Sequence, residues 1–266
     1  MSRFYLTLFF HIAEKLKLHQ PYQMTATSIS DLKNEMKKNS MMQCNMDGDV
    51  CCISSTGVLF TLKGHAGHAN CKCPEQRVGN LITYRSRHQN CNCNGHCAAV
   101  THIYIIPDEV VIYILTTGND GSVLLWTLKI LDGNIVSEFK VLMTTTIQHP
   151  DFVGVGMIKE GCGYLFAVNA HGSLLLWDRS GKRIDYKGQC SPLSRWNSAP
   201  PRYYAKNKVA LEITFAEGLS DGQLYVRAND ESGPKELYFL VKKDPNEEEN
   251  VQIELSSVIC MPWHKN

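Results

Sequence analysis

Apolar and polar positions along this chain fall into short alternating runs, not the three-to-four spacing of helices. Residues 110–126 read Val-Val-Ile-Tyr-Ile-Leu-Thr-Thr, then Gly-Asn-Asp-Gly-Ser, then Val-Leu-Leu-Trp. Both arms are rich in β-branched and apolar residues, and Asn119, Asp120 and Gly121 tolerate the positive φ of a tight turn, so the segment predicts a strand, a turn and a strand. Residues 163–178 repeat it: Trp177 follows Trp126, and Gly172 follows Gly121, by the same 51 positions. Weaker copies occupy residues 48–63 and 222–241. Strand-like runs at 99–106 and 136–143 flank the second copy. Runs at 152–158 and 183–186 flank the third, and runs at 209–215 and 251–255 flank the fourth. Four short antiparallel strands per unit of about 40–50 residues is the pattern of a propeller blade.

Two further features carry a family resemblance. Gly95-His96 precedes Trp126 by 29 intervening residues, and Gln148-His149 precedes Trp177-Asp178 by 27. A Gly-His pair followed at such distance by Trp-Asp resembles the WD-repeat β-propeller family, strongly over residues 95–178 and by strand pattern alone over the rest of 41–258. The resemblance implies a bracing network in each blade, made of a loop His, a second-strand Ser/Thr, the turn Asp and the third-strand Trp. Its residues here are His96, Thr116 or Thr117, Asp120 and Trp126 in the second unit, with His149, Trp177 and Asp178 in the third. The chain departs from the pattern at Thr127, which follows Trp126 where Asp is usual, and at His171, which stands where the turn Asp belongs. The first and fourth units lack the Trp.

The expected fold is therefore all-β: a β-propeller-like array of about four antiparallel blades, partial or completed by a partner. Most rings of this kind have about seven blades and need about 280–315 residues. The expected blades are 41–88, 96–147, 149–190 and 208–258, followed by a tail at 259–266. Residues 1–40 do not repeat. Within them the apolar run 4–10 reads as a strand, which the resemblance would use as an outer strand of the last blade. Residues 28–38 read as a short helix, with Ser30 as a weak cap and Lys33 where a capping box has Glu.

Composition narrows the function. Of 266 residues, 44% are hydrophobic and 20% charged, enough for a sizeable core. Lys and Arg number 27 against 26 Asp and Glu, so no global field favours nucleic acid or an acidic membrane. No apolar run approaches the roughly 18 residues of a spanning helix. Eleven cysteines make an odd count at modest density, which favours a reducing compartment, cytoplasm or nucleus. The dense patch at 65–97 holds Cys71-x-Cys73 and Cys91-x-Cys93 with 17 residues between. These four thiols are the candidate zinc ligands, since zinc takes four N/S donors. Against a single site stands residues 78–84, which read as the outer strand of the first unit. A strand of that length holds the two pairs about 20 Å apart, at roughly 3.3 Å per residue, unless 64–97 is a separate excursion.

No phosphate-binding Gly loop, dinucleotide fingerprint, nucleophile elbow or His-Glu-x-x-His appears in the sequence. The expectation is a chain without catalysis or cofactor. Residues 190–207, a long connection between the third and fourth units, hold Arg195, Trp196, Arg202, Tyr203 and Tyr204, of types enriched at interface hot spots. The expected role is a protein–protein scaffold or adaptor in a multi-subunit complex, with no direct nucleic-acid contact and no membrane span. The alternative is a zinc-stabilised adaptor or nucleic-acid-binding factor that uses 65–97.

Overall fold

The computed structural model describes residues 28–37, 41–44, 49–54, 57–62, 75–78, 81–85, 95–106, 111–132, 134–144, 152–159, 163–170, 172–187, 212–219, 221–230, 233–243 and 251–260. They form an all-β, propeller-like open array of four antiparallel blades, with one helix. Blade 1 is three strands in sequential order, β1 (Met41–Cys44), β2 (Val50–Ser54) and β3 (Gly57–Leu62). A separate hairpin follows, β4 (Glu75–Val78) paired with β5 (Leu81–Arg85). Blade 2 is β6 (Val100–Ile106), β7 (Ile112–Gly118), β8 (Ser122–Leu131) and β9 (Asn134–Thr144). Blade 3 is β10 (Phe152–Ile158), β11 (Tyr164–Asn169), β12 (Leu174–Trp177) and β13 (Arg183–Ile184). Blade 4 is β15 (Glu212–Gly218), β16 (Gln223–Asp230), β17 (Gly233–Lys243) and β18 (Val251–Cys260), joined at its outer edge by β14 (Tyr186–Lys187).

Alternation of side chains along each strand explains the stacking. In blade 2, Ile112, Ile114, Leu124, Trp126 and Leu128 point one way and join Val50, Cys52, Phe60 and Leu62 of blade 1. Their neighbours Leu115, Val123 and Leu125 point the other way and join Phe152, Met157, Leu165, Ala167 and Trp177 of blade 3. The opposite face of blade 3, including Phe166, Val168, Leu174 and Leu176, packs on Leu224, Val226, Leu237 and Phe239 of blade 4. Each middle sheet is thus buried on both faces, which is why β7, β8 and β11 read as near-continuous apolar runs. Among the described residues no hydrophobic cluster joins blade 4 back to blade 1.

The first strands β6, β10 and β15 stand side by side, with β10 in the middle. Their close approach requires small residues. A Cβ on Gly154 would run into the Ala216 carbonyl, and one on Gly218 into the Met157 carbonyl. Both glycines therefore set how closely blades 3 and 4 meet.

Four expectations need correcting. Residues 78–84 are not an outer strand of blade 1; Val78 and Leu81 pair with each other in a separate hairpin, so among the described residues blade 1 has three strands and ends at Leu62. The run 183–186 is not one strand either. Arg183 and Ile184 stay with blade 3, while Tyr186 and Lys187 pair in parallel with Val251 and Gln252 of blade 4. Residues 259 and 260 belong to β18, not to a tail. Finally, helix α1 (Ile29–Lys37) is capped by Ser28 rather than Ser30. The Asp31 backbone N–H donates to Ser28 Oγ at 3.1 Å, and the Ser28 hydroxyl donates back to the Asp31 carboxylate at 2.7 Å. Asp31 also places negative charge at the positive end of the helix. The helix buries Leu32, 1% exposed, in the cluster between blades 1 and 2. The run 4–10 lies outside the described residues.

Candidate functional site

The loop 95–99 enters blade 2 and is latched onto its β7–β8 turn. Asp120 is the latch. One carboxylate oxygen accepts the Cys97 backbone N–H at 2.7 Å. The other accepts the Ser122 backbone N–H at 3.0 Å and the Ser122 hydroxyl at 2.7 Å, and lies 3.1 Å from His96 Nδ1. The Asn119 backbone N–H donates to the Ala99 carbonyl at 2.9 Å, closing the loop on the turn a second time. Gly121 takes φ 75°, the left-handed conformation that the turn needs.

From His96 the chain of bonds runs inward. His96 Nε2 lies 2.7 Å from Thr116 Oγ1, and the Trp126 indole N–H donates to the same hydroxyl oxygen at 2.9 Å. Trp126 can only donate and an ionised Asp120 can only accept. With a neutral ring, the directions follow: Trp126 donates to Thr116, Thr116 to His96 Nε2, and His96 Nδ1–H to Asp120. His96, Thr116, Asp120 and Ser122 are all 1% exposed or less. Burial in a low dielectric strengthens each of these bonds, and makes each member costly to leave without its partner. Burial pushes the Asp120 carboxyl up, but attraction to His96 and the bonds from His96, Cys97 and Ser122 outweigh it, so the group sits below the ordinary carboxylate range.

Register decides between the two threonines. Thr116 lies two positions beyond Ile114, the cross-strand partner of Trp126, and shares its face. Thr117 points to the opposite face, where its hydroxyl meets that of Thr101 at 3.0 Å and His102 Nδ1 at 3.5 Å. Sequence reasoning missed two members of the site. Ser122 bonds both Asp120 and His96, the latter at 2.9 Å; the signal was a hydroxyl directly after the Asp-Gly turn. Gly118 leaves room for the ring, since a Cβ there would sit 2.6 Å from His96 Nδ1 and 2.8 Å from Asp120 Oδ1.

Blade 3 is held differently. Trp177 is 1% exposed and pairs with Leu165, so the place corresponding to Thr116 falls to Ala167, which has no hydroxyl. The Arg183 guanidinium lies over the Trp177 ring at 5.6 Å. The β11–β12 turn is closed by Asn169, whose side-chain oxygen accepts the Ser173 N–H at 2.8 Å. Asp178 braces the β12–β13 turn, accepting the Ser180 hydroxyl at 2.6 Å and the Lys182 N–H at 2.9 Å. Burial raises the Asp178 carboxyl, and those bonds, helped by Lys140, draw it lower on balance. Lys140 of blade 2 donates to the Ser180 carbonyl at 2.9 Å, which ties the two blades together at their outer rim.

His149, Arg195, Trp196, Arg202, Tyr203, Tyr204, Cys71, Cys73, Cys91 and Cys93 lie outside the described residues. Among the described residues no three His, Cys, Asp or Glu side chains converge as metal ligands. Cys51, Cys52, Cys97 and Cys260 carry thiols outside any disulfide; Cys52 and Cys97 are buried, and Cys51 Sγ lies 3.6 Å from Thr61 Oγ1. No helix among the described residues is long and apolar enough to cross a membrane. No family model matches the chain, and no curated protein matches it.

Proposed function

We propose that this chain is a non-catalytic protein–protein interaction scaffold of WD-repeat type, acting as a subunit of a larger complex in the cytoplasm or nucleus. The carrying observation is the buried chain from Trp126 through Thr116 and His96 to Asp120, which fastens the inter-blade loop 95–99 to the blade. A blade braced in this way gives the surface loops around it a rigid base, so a modest contact surface is enough for specific recognition. Ser122, His96 and Asp120 are the residue types of acyl-transfer catalysis, but here Ser122 and Asp120 both meet Nδ1 of the ring. In a nucleophilic triad they meet opposite nitrogens. All three are shut from solvent, which suits bracing and leaves a substrate no approach. The partner surface we assign is the connection 190–207.

The test replaces Arg195, Trp196, Arg202, Tyr203 and Tyr204 with alanine in the full chain and compares cross-linked partners with wild type. Loss of a stoichiometric protein partner at an unchanged thermal midpoint is the expected result. An identical partner set removes the surface, and a wild-type chain with no stoichiometric protein partner removes the scaffold reading.

One observation favours a second reading, a zinc-stabilised adaptor or nucleic-acid-binding factor. The register Glu75↔Arg85 makes β4 and β5 a hairpin that the chain enters and leaves at the same end. Cys73 is two positions before Glu75, and Cys91 is six after Arg85. At about 3.5 Å of reach per residue, the hairpin no longer forces the two pairs 20 Å apart. Stoichiometric zinc by elemental analysis, lost on replacing Cys71 and Cys73 with serine, is expected on this reading. No bound zinc, together with a melting midpoint indifferent to chelator, disposes of it.

A further inference from the structure

We infer that the outer edge of β18 is a self-association strand, whose residues 257–260 pair antiparallel with the same segment of a second copy across a twofold axis. β18 pairs along its length with β17 on one side, from Lys243↔Val251 to Lys235↔Cys260. On the other side β14 takes up only Val251 and Gln252. This edge therefore already accepts one strand. Among the described residues nothing else pairs with it at 257–260, and its backbone donors and acceptors there form a template for another strand.

The side chains suit a second copy of the same strand. Val258 is 47% exposed and Ile259 48%, although such residues are usually buried. The register sets Val258 opposite Leu237 and Ile259 opposite Glu236, so they stand on the two faces of the sheet. An added strand would cover both at once, whereas a ligand on one face would cover one. Natural edges are blunted by Lys, Pro or bulges. The bulge here lies at Ser256, where the register shifts and the Ser256 hydroxyl donates to the Tyr238 carbonyl at 2.8 Å. Beyond it, Ser-Val-Ile-Cys carries neither charge nor proline. A twofold pairing sets a segment against itself, so any charge would meet its like; this stretch has none, and the last charge before it is Glu254. The chain's formal charge of +1 adds no general repulsion between copies.

The experiment measures the mass of the full chain by sedimentation equilibrium across the micromolar range, alongside hydrogen exchange. Wild type is expected to pass from monomer to dimer as concentration rises, with the amides of 257–260 gaining protection. Val258→Lys and Ile259→Lys are each expected to weaken the dimer by about tenfold or more, because a lysine at an edge opposes strand addition. Ile259→Lys places its ammonium opposite Glu236, so the fold is retained and the thermal midpoint at low concentration stays in place. A monomer at every concentration overturns the inference. So does a dimer that ignores both substitutions, a mass that climbs past two copies, or an association that leaves the 257–260 amides unprotected.

Discussion

Thr116 is the residue on which the bracing of blade 2 turns, because one hydroxyl serves both Trp126 and His96. Thr116→Val keeps the shape and removes both bonds, stranding a buried indole N–H. A loss of about 1–3 kcal/mol is expected in denaturant titrations, the range for an unsatisfied buried group. Asp120→Asn removes the ionised acceptor that His96 Nδ1–H, the Cys97 N–H and Ser122 share, and a hydrogen bond to a charged group is worth about 1.5–3 kcal/mol. Because the two residues share one network, the double variant is expected to cost less than the sum of the singles. Acid acts in the same direction at two residues. Burial lowers His102 from its ordinary 6.5, so the unfolded chain binds the proton more readily; its contribution is intact above 6.5 and fades as pH falls below it. Asp120, lowered from 3.8, adds a loss at still lower pH. Melting midpoints should fall from pH 7 to pH 5, and His102→Gln should flatten that fall; an unchanged slope would remove His102 as its source. The sequence displayed His96, Asp120 and Trp126 by type and spacing. It left Thr116 and Thr117 as equals, since only the register with β8 says which hydroxyl faces the indole.

At the scale of elements, the joint between blades 3 and 4 rests on two absent methyl groups. Gly154→Ala and Gly218→Ala each press a Cβ into a backbone carbonyl of the facing strand, which cannot yield as a side chain would. Overpacking of this kind costs about 1–3 kcal/mol, read as a lower denaturation midpoint. The helix makes the opposite test. Leu32→Ala empties a buried site between blades 1 and 2 and is expected to cost about 2–5 kcal/mol. Strand content was legible because alternation and turn residues are local signals. The hairpin β4–β5 was not, because a seven-residue apolar-polar run reads alike whether it continues straight or, as here, its two ends pair with each other. Nor was the split at Asp185, where the chain leaves blade 3 for the edge of blade 4; that choice depends on a partner strand 65 positions away.

At the scale of the molecule, the described residues form three separate clusters, each joining one blade to its neighbour. Stability should then be close to a sum over nearest-neighbour joints. Leu124→Ala, between blades 1 and 2, and Leu224→Ala, between blades 3 and 4, share no cluster. Their losses are expected to add within about 0.5 kcal/mol. A larger coupling would mean that the blades act as one core. Among the described residues, no strand covers β18 beyond the two positions taken by β14, which is where the proposed twofold lies.

The blade repeat, the turns and the identity of the bracing residues follow from the sequence by itself, because each depends on spacings of a few residues and on the chemistry of single side chains. The tertiary structure decided which strands share a sheet and which face each residue presents. It also decided that Ala167 stands in blade 3 where Thr116 stands in blade 2, and that residues 75–78 and 81–85 form a hairpin of their own instead of a strand of blade 1. Those outcomes depend on register between distant segments, where a shift of one residue turns every side chain to the other face.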